Sequence, residues 1–162
     1  MSAGVEIPLT DNSLEVIQFR DKEEPTKGVL LLTNTYGIGG GPEYMSLWVY
    51  DKSQKRFRNI LPSGTYVPAL GTFRFFPSLR NKNVLIIARP ERLVDFSANL
   101  DDPNRETIWD LHYYILYIYR HVPNKGFLMT GWFKTKRKYD PENDIGRLID
   151  LELKRVMTLL EK

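Results

Sequence analysis

The chain has no cysteine among its 162 residues. Disulfides, thiol nucleophiles and thiolate metal sites are therefore excluded, and the redox compartment is left open. It has only two histidines, so a metal centre would need carboxylates gathered from distant parts of the chain. No apolar run approaches the ~18 residues of a membrane-spanning helix. The first residues, MSAGVEIPL, lack the basic n-region and apolar h-region of a secretory signal. The sequence therefore reads as a soluble chain, either cytoplasmic or exported with its signal already removed. A large excess of one charge is also lacking: 23 Lys and Arg against 20 Asp and Glu give a formal net charge of +3. That allows an anionic partner without demanding one.

Aromatic residues are abundant. Nine Tyr, eight Phe and three Trp make up 12% of the chain, a composition that suits sheets. They concentrate in residues 109–139, which read WDLHYYILYIYRHVPNKGFLMTGWFKTKRKY. Two apolar-aromatic runs joined by Pro123, Asn124, Lys125 and Gly126 predict a long β-hairpin. The first run is apolar on both faces. Tyr113, Ile115, Tyr117 and Tyr119 lie on one, and Tyr114, Leu116 and Ile118 on the other, which predicts a central strand covered twice. Alternation in the second run places Phe127, Met129, Gly131, Phe133 and Thr135 on one face. Leu128, Thr130, Trp132, Lys134, Lys136 and Lys138 fall on the opposite face.

Further strands are expected over residues 14–20, 28–36, 44–51, 57–61, 72–76 and 84–89, with residues 66–69 ambiguous. The fold class is mainly β with one helix (α+β). About eight antiparallel strands form a meander, curved sheet, barrel or sandwich. Residues 14–62 and 71–139 read as two four-stranded units within a single domain spanning 1–162. Asp140, Pro141 and Glu142 carry a helix-start signature, with Asp at the N-cap and Pro at the first position. Ile145, Ile149, Leu153, Val156 and Leu160 then repeat at helical spacing. A helix over residues 141–161 is expected to pack this stripe on the sheet.

Candidate chemistry is sparse. Gly37, Gly39, Gly40 and Gly41 follow a buried strand and could bring backbone amides to a ligand beside Tyr36. The nucleotide-binding fingerprints are absent, because no helix opens after the glycines. Asp110 and His112 share a strand face and could pair as an oriented general base, but no nucleophile is tied to them by any motif. Lys134, Lys136 and Lys138 form a basic ladder beside Trp132, which superficially matches nucleic-acid binding. Sheet RNA-binders, however, use two or three exposed aromatics where this face has one, and the net charge is modest, so nucleic acid is not the expected partner. Arg74, Arg89 and Arg120 sit in or beside aromatic strands and need acidic or carbonyl partners if they turn inward.

These features lead to a non-enzymatic binding or interaction domain without cofactor or metal. It would hold a small ligand, glycan or protein through an aromatic-lined concave surface or the basic strand end. The expected ligand-binding residues are Tyr36, Gly39, Gly40, Trp48, Trp132, Lys134, Lys136 and Lys138. The alternatives are a hydrolase-type enzyme using Asp110 and His112, or weak nucleic-acid binding through the lysine ladder.

Overall fold

A computed structural model describes residues 12–18, 27–34, 43–68, 70–92 and 110–161. The first sheet holds β1 (Asn12–Gln18), β2 (Lys27–Asn34), β3 (Glu43–Asp51) and β4 (Arg56–Asn59) in chain order, with the short β5 (Tyr66–Val67) also paired to β3. The second holds β6 (Thr72–Leu79), β7 (Lys82–Pro90), β8 (Tyr114–Val122) and β9 (Gly126–Lys134), again in chain order. All pairings are antiparallel. Among the described residues both sheets are therefore meanders, and neither closes into the barrel that is one of the expected architectures. The helix α1 (Leu148–Leu160) follows them.

The doubly apolar pattern of β8 is satisfied from both sides. One face of the second sheet supplies Leu85, Ile87, Tyr119 and Phe127 to a core shared with Leu30, Met45, Leu47 and Val67 of the first sheet. The other face supplies Val84, Ile86, Ala88, Tyr114, Leu116 and Ile118 to a core closed by Leu148, Ile149, Val156 and Leu160 of α1. The layers thus run first sheet, second sheet, helix. Truncating a side chain at the centre of either core would cost about 2–5 kcal/mol.

The turns follow from local conformation. Arg80 and Asn81 both have positive φ, 52° and 59°, and connect the β6–β7 pair at Leu79 and Lys82. Two successive positive φ values give a turn whose twist matches that of the flanking strands. Strand β6 runs through Pro77 to Leu79 rather than ending before the proline. The register shifts between Phe76 and Leu79, so the proline sits in an irregularity of an edge strand, where its missing N–H is tolerated.

The helix starts later than its cap signature predicts. The Asp140 carboxylate accepts from the amides of Glu142 and Asn143 and from the Asn143 side chain. The Asp144 carboxylate accepts from the Asp140 amide. These side chains hold residues 141–144 in a local turn, in competition with the helix. A single 3₁₀ turn at Ile145–Arg147 follows, and then the 13 residues of α1. Asp150, spaced to pair with Lys154, bonds instead to Arg74 on β6. Lys82 Nζ donates to the Leu160 carbonyl at 3.1 Å, placing a cation at the negative end of the helix dipole. Buried Glu152 takes the Tyr139 hydroxyl at 2.6 Å and Arg155 at 2.9 Å.

The two sheets are joined by backbone as well as by core. The Phe127 amide donates to the Ile60 carbonyl at 2.7 Å, and Arg58 Nη1 donates to the Asn124 carbonyl at 3.0 Å. The joint presses on Gly126, which has φ of 85°. A Cβ there would lie 2.5 Å from the Ile60 oxygen, whereas one at Gly131 would meet nothing within 4 Å. Gly126→Ala is therefore expected to cost more than about 1 kcal/mol. Gly131→Ala should stay within about 0.5 kcal/mol of wild type. Urea unfolding of the two variants measures the difference. Equal midpoints would show that the joint yields freely.

Candidate functional site

The β8–β9 pairing contains one irregularity that decides where side chains point. Ile118 pairs with Gly131, but Tyr119 pairs with Met129, leaving Thr130 as an extra residue in β9. The Thr130 hydroxyl donates to the Ile118 carbonyl at 3.3 Å. A bulge of this kind shifts the phase of alternation. Strict alternation would group Phe127 and Met129 with Phe133, opposite Trp132 and Lys134. The bulge overturns that grouping. Phe127, Met129, Trp132 and Lys134 pair with His121, Tyr119, Tyr117 and Ile115, on the face toward the first sheet. Phe133 pairs with Leu116 and packs with the helix-side core, where the Arg155 guanidinium lies over its ring at 4.1 Å.

Beyond the part of this face that the first sheet covers, Trp132 is 59% exposed and Met129 54%. Trp132 lies directly opposite Tyr117. The Arg89 guanidinium lies 4.8 Å from the Tyr117 ring centroid and 4.2 Å from that of Tyr66. It donates through Nη2 to the Tyr66 carbonyl at 2.9 Å, and its Nε has no hydrogen-bond partner among the described residues. The Tyr66 ring in turn meets Tyr44 at 6.0 Å. The result is a strip of planar groups running from Trp132 on β9 through Tyr117 and Arg89 to Tyr66 and Tyr44. It crosses from the second sheet to the first.

The basic residues stand beside one end of this strip, though not as a strand ladder. Strand β9 ends at Lys134. Thr135 is buried. Its hydroxyl accepts from the Tyr114 amide at 3.0 Å and donates to the Arg137 carbonyl at 2.8 Å, so the chain bends over Lys136 and Arg137. Lys134 Nζ lies 4.4 Å from the Tyr113 ring centroid and bonds to Glu91 at 2.6 Å. Lys138 Nζ approaches the same ring at 5.6 Å. Lys136 is exposed on the bend, and Arg137 lies over Tyr139 at 4.7 Å. Burial is the first cause that raises the Tyr139 phenol above its ordinary value, and its bond to Glu152 is the second.

The other expected site residues distribute differently. Trp48 is half-buried on the opposite side of β3 from the core residues Leu47 and Val49, and its Nε1 donates to Ser46 at 2.9 Å. It is therefore separate from Trp132 and the lysines. Tyr36, Gly39 and Gly40 lie outside the described residues. Asp110 is exposed, whereas His112 is only 2% exposed. His112 is held in a backbone bridge to Tyr139, with bonds of 2.9 and 2.8 Å. The imidazole is thus enclosed by the fold and does not line an open cleft. Among the described residues, no group of three or more His, Asp or Glu could hold a metal ion. Tyr117 and Tyr66 complete the strip with Arg89, although none of the three belongs to the ligand-binding set expected from the sequence. Arg89 within an aromatic-rich chain is their one signal there.

Comparisons with protein-family models, with curated proteins and with solved structures find no match to this chain.

Tyr114 anchors the bend that carries the lysines, since the Thr135 amide donates to its carbonyl at 2.8 Å and its own amide donates to Thr135. Its side chain is fully buried, and the hydroxyl has no hydrogen-bond partner among the described residues. Burial, reinforced by the charges of Asp140 and Asp144, pushes this phenol from 10.0 up to about 12. A phenol raised in the fold keeps its contribution below the unfolded value of 10.0 and loses it as pH climbs towards 12. Tyr114→Phe is expected to raise stability by about 1 kcal/mol near neutral pH, because an unsatisfied buried hydroxyl is removed. The advantage should widen above pH 10. Thermal unfolding at several pH values measures both effects, and a lower melting temperature for the variant at neutral pH would contradict this account.

Proposed function

We propose that this chain is a non-enzymatic binding domain whose ligand surface is the Trp132–Tyr117–Arg89–Tyr66 strip. The observation that carries the reading is the bulge at Thr130. It places the exposed Trp132 opposite Tyr117 instead of against the helix. A large aromatic ring exposed on an edge strand is costly to leave in water, and edge strands usually carry polar or charged residues. Here the ring stands opposite Tyr117, over which the Arg89 guanidinium lies, and an exposed indole with an adjoining cation is suited to a flat ligand. The adjoining lysines favour a ligand that bears negative charge. The enclosed His112 gives the hydrolase alternative no support.

Arg89 and Tyr117 rest on the paired central strands β7 and β8, so the bound geometry should differ little from the free one. Backbone amide shifts measured by NMR during titration with anionic probes test the surface directly. Suitable probes are ATP, a heparin tetrasaccharide and a short oligothymidylate. Shifts are expected at Tyr66, Arg89, Tyr117, Trp132 and Lys134, with none at Tyr50 and Phe57 on the far side of the first sheet. Shifts confined to other regions, or no shifts with any probe, would remove the proposal.

A further inference from the structure

We infer that the ligand of this strip is single-stranded nucleic acid, an inference that rests on the binding surface proposed above. Stacking groups and cations occur together there in the arrangement that single strands need. Proteins that hold single strands without sequence preference combine aromatic platforms for the bases with a basic track for the backbone. Trp132 offers an open ring and Tyr117 stands directly opposite it. Arg89 lies over both tyrosine rings and bonds to the Tyr66 carbonyl, so it fixes the rings beside the open indole and adds positive charge. Lys134 and Lys138 converge beside the strip on the Tyr113 ring, and Lys136 and Arg137 are exposed on the adjoining bend. Phosphates can follow this bend while bases lie across β9 and β8.

The edge position favours a single strand over other ligands. Among the described residues, strand β9 is the outer strand of its sheet, so a chain can pass across the stacking surface. A neutral glycan would call for amides and carboxylates around the aromatic ring to bind its hydroxyls. The charged residue next along the Trp132 face of β9 is Lys134 instead, and the Glu91 carboxylate is itself bonded to it. Asn and Gln side chains, which read base edges through paired hydrogen bonds, do not occur in the strip. Binding should therefore show little base preference.

The test uses the full chain and fluorescein-labelled oligothymidylate of about 15 nucleotides, followed by anisotropy from low to moderate salt. Wild type is expected to bind, with affinity falling as salt rises. Trp132→Ala should weaken binding at least about tenfold while leaving the melting temperature and the salt slope unchanged. The Lys136→Ala, Arg137→Ala double variant should instead flatten the salt slope, by roughly 0.7 for each phosphate no longer neutralised. Equal binding of oligothymidylate by wild type and Trp132→Ala would overturn the inference, because charge alone would then account for it. A duplex that competes as well as the single strand would overturn it in the same way. Heparin binding that Trp132→Ala abolishes, without oligonucleotide binding, would reject nucleic acid but leave the proposed surface standing. Failure of ATP, heparin and oligonucleotide alike to bind would reject both.

Discussion

Strands β7 and β8 carry apolar side chains on both faces, and neither face can be left in water. That requirement determines what surrounds them. The helix covers Val84, Ile86, Leu116 and Ile118, while the first sheet covers Leu85, Ile87 and Tyr119. Each cover is then fastened by polar contacts at its margin. Arg74, Lys82 and Arg80 hold the helix through Asp150, the Leu160 carbonyl and Glu161. The bonds from Phe127 to Ile60 and from Arg58 to Asn124 hold the first sheet. Surface ion pairs contribute little by themselves; the burial supplies the stability and the polar contacts set the position.

The candidate surface lies on the same face as the core shared by the two sheets. Half-buried Arg89 and Tyr117 adjoin Ile87 and Tyr119 at the margin of that cover, and Trp132 beyond them is exposed. The bulge at Thr130 is what brings Trp132 to this face. A bulge also disrupts the regular hydrogen-bonding edge of an outer strand, which discourages pairing with another chain. The same irregularity thus protects the edge and aims the indole. The bend after Lys134, fixed by Thr135 and Tyr114, then carries the basic residues to the end of the strip.

Much of the architecture is legible in the sequence because it is written in local periodicity. The double apolar face of residues 113–119 requires two covers. Ile149, Val156 and Leu160 mark the helical stripe that supplies one of them. The surface is harder to read, for two reasons. Alternation carries no mark of an inserted residue, so it puts Trp132 on the face opposite Phe127. The stack of Arg89 on Tyr66 and Tyr117 joins residues far apart in the chain, a contact that no spacing rule encodes. Asp140 illustrates a different failure. Its side chain does cap backbone amides, as an N-cap residue would, but the amides belong to a turn that precedes the helix.

The account turns on the phase change at Thr130, and nuclear Overhauser contacts from the Trp132 indole test it most directly. Cross-peaks from this ring to Tyr117 and Lys134, together with cross-peaks from the Phe133 ring to Arg155, are the predicted result. Cross-peaks from the Trp132 indole to side chains of the helix would contradict it, and the proposed strip would then not exist.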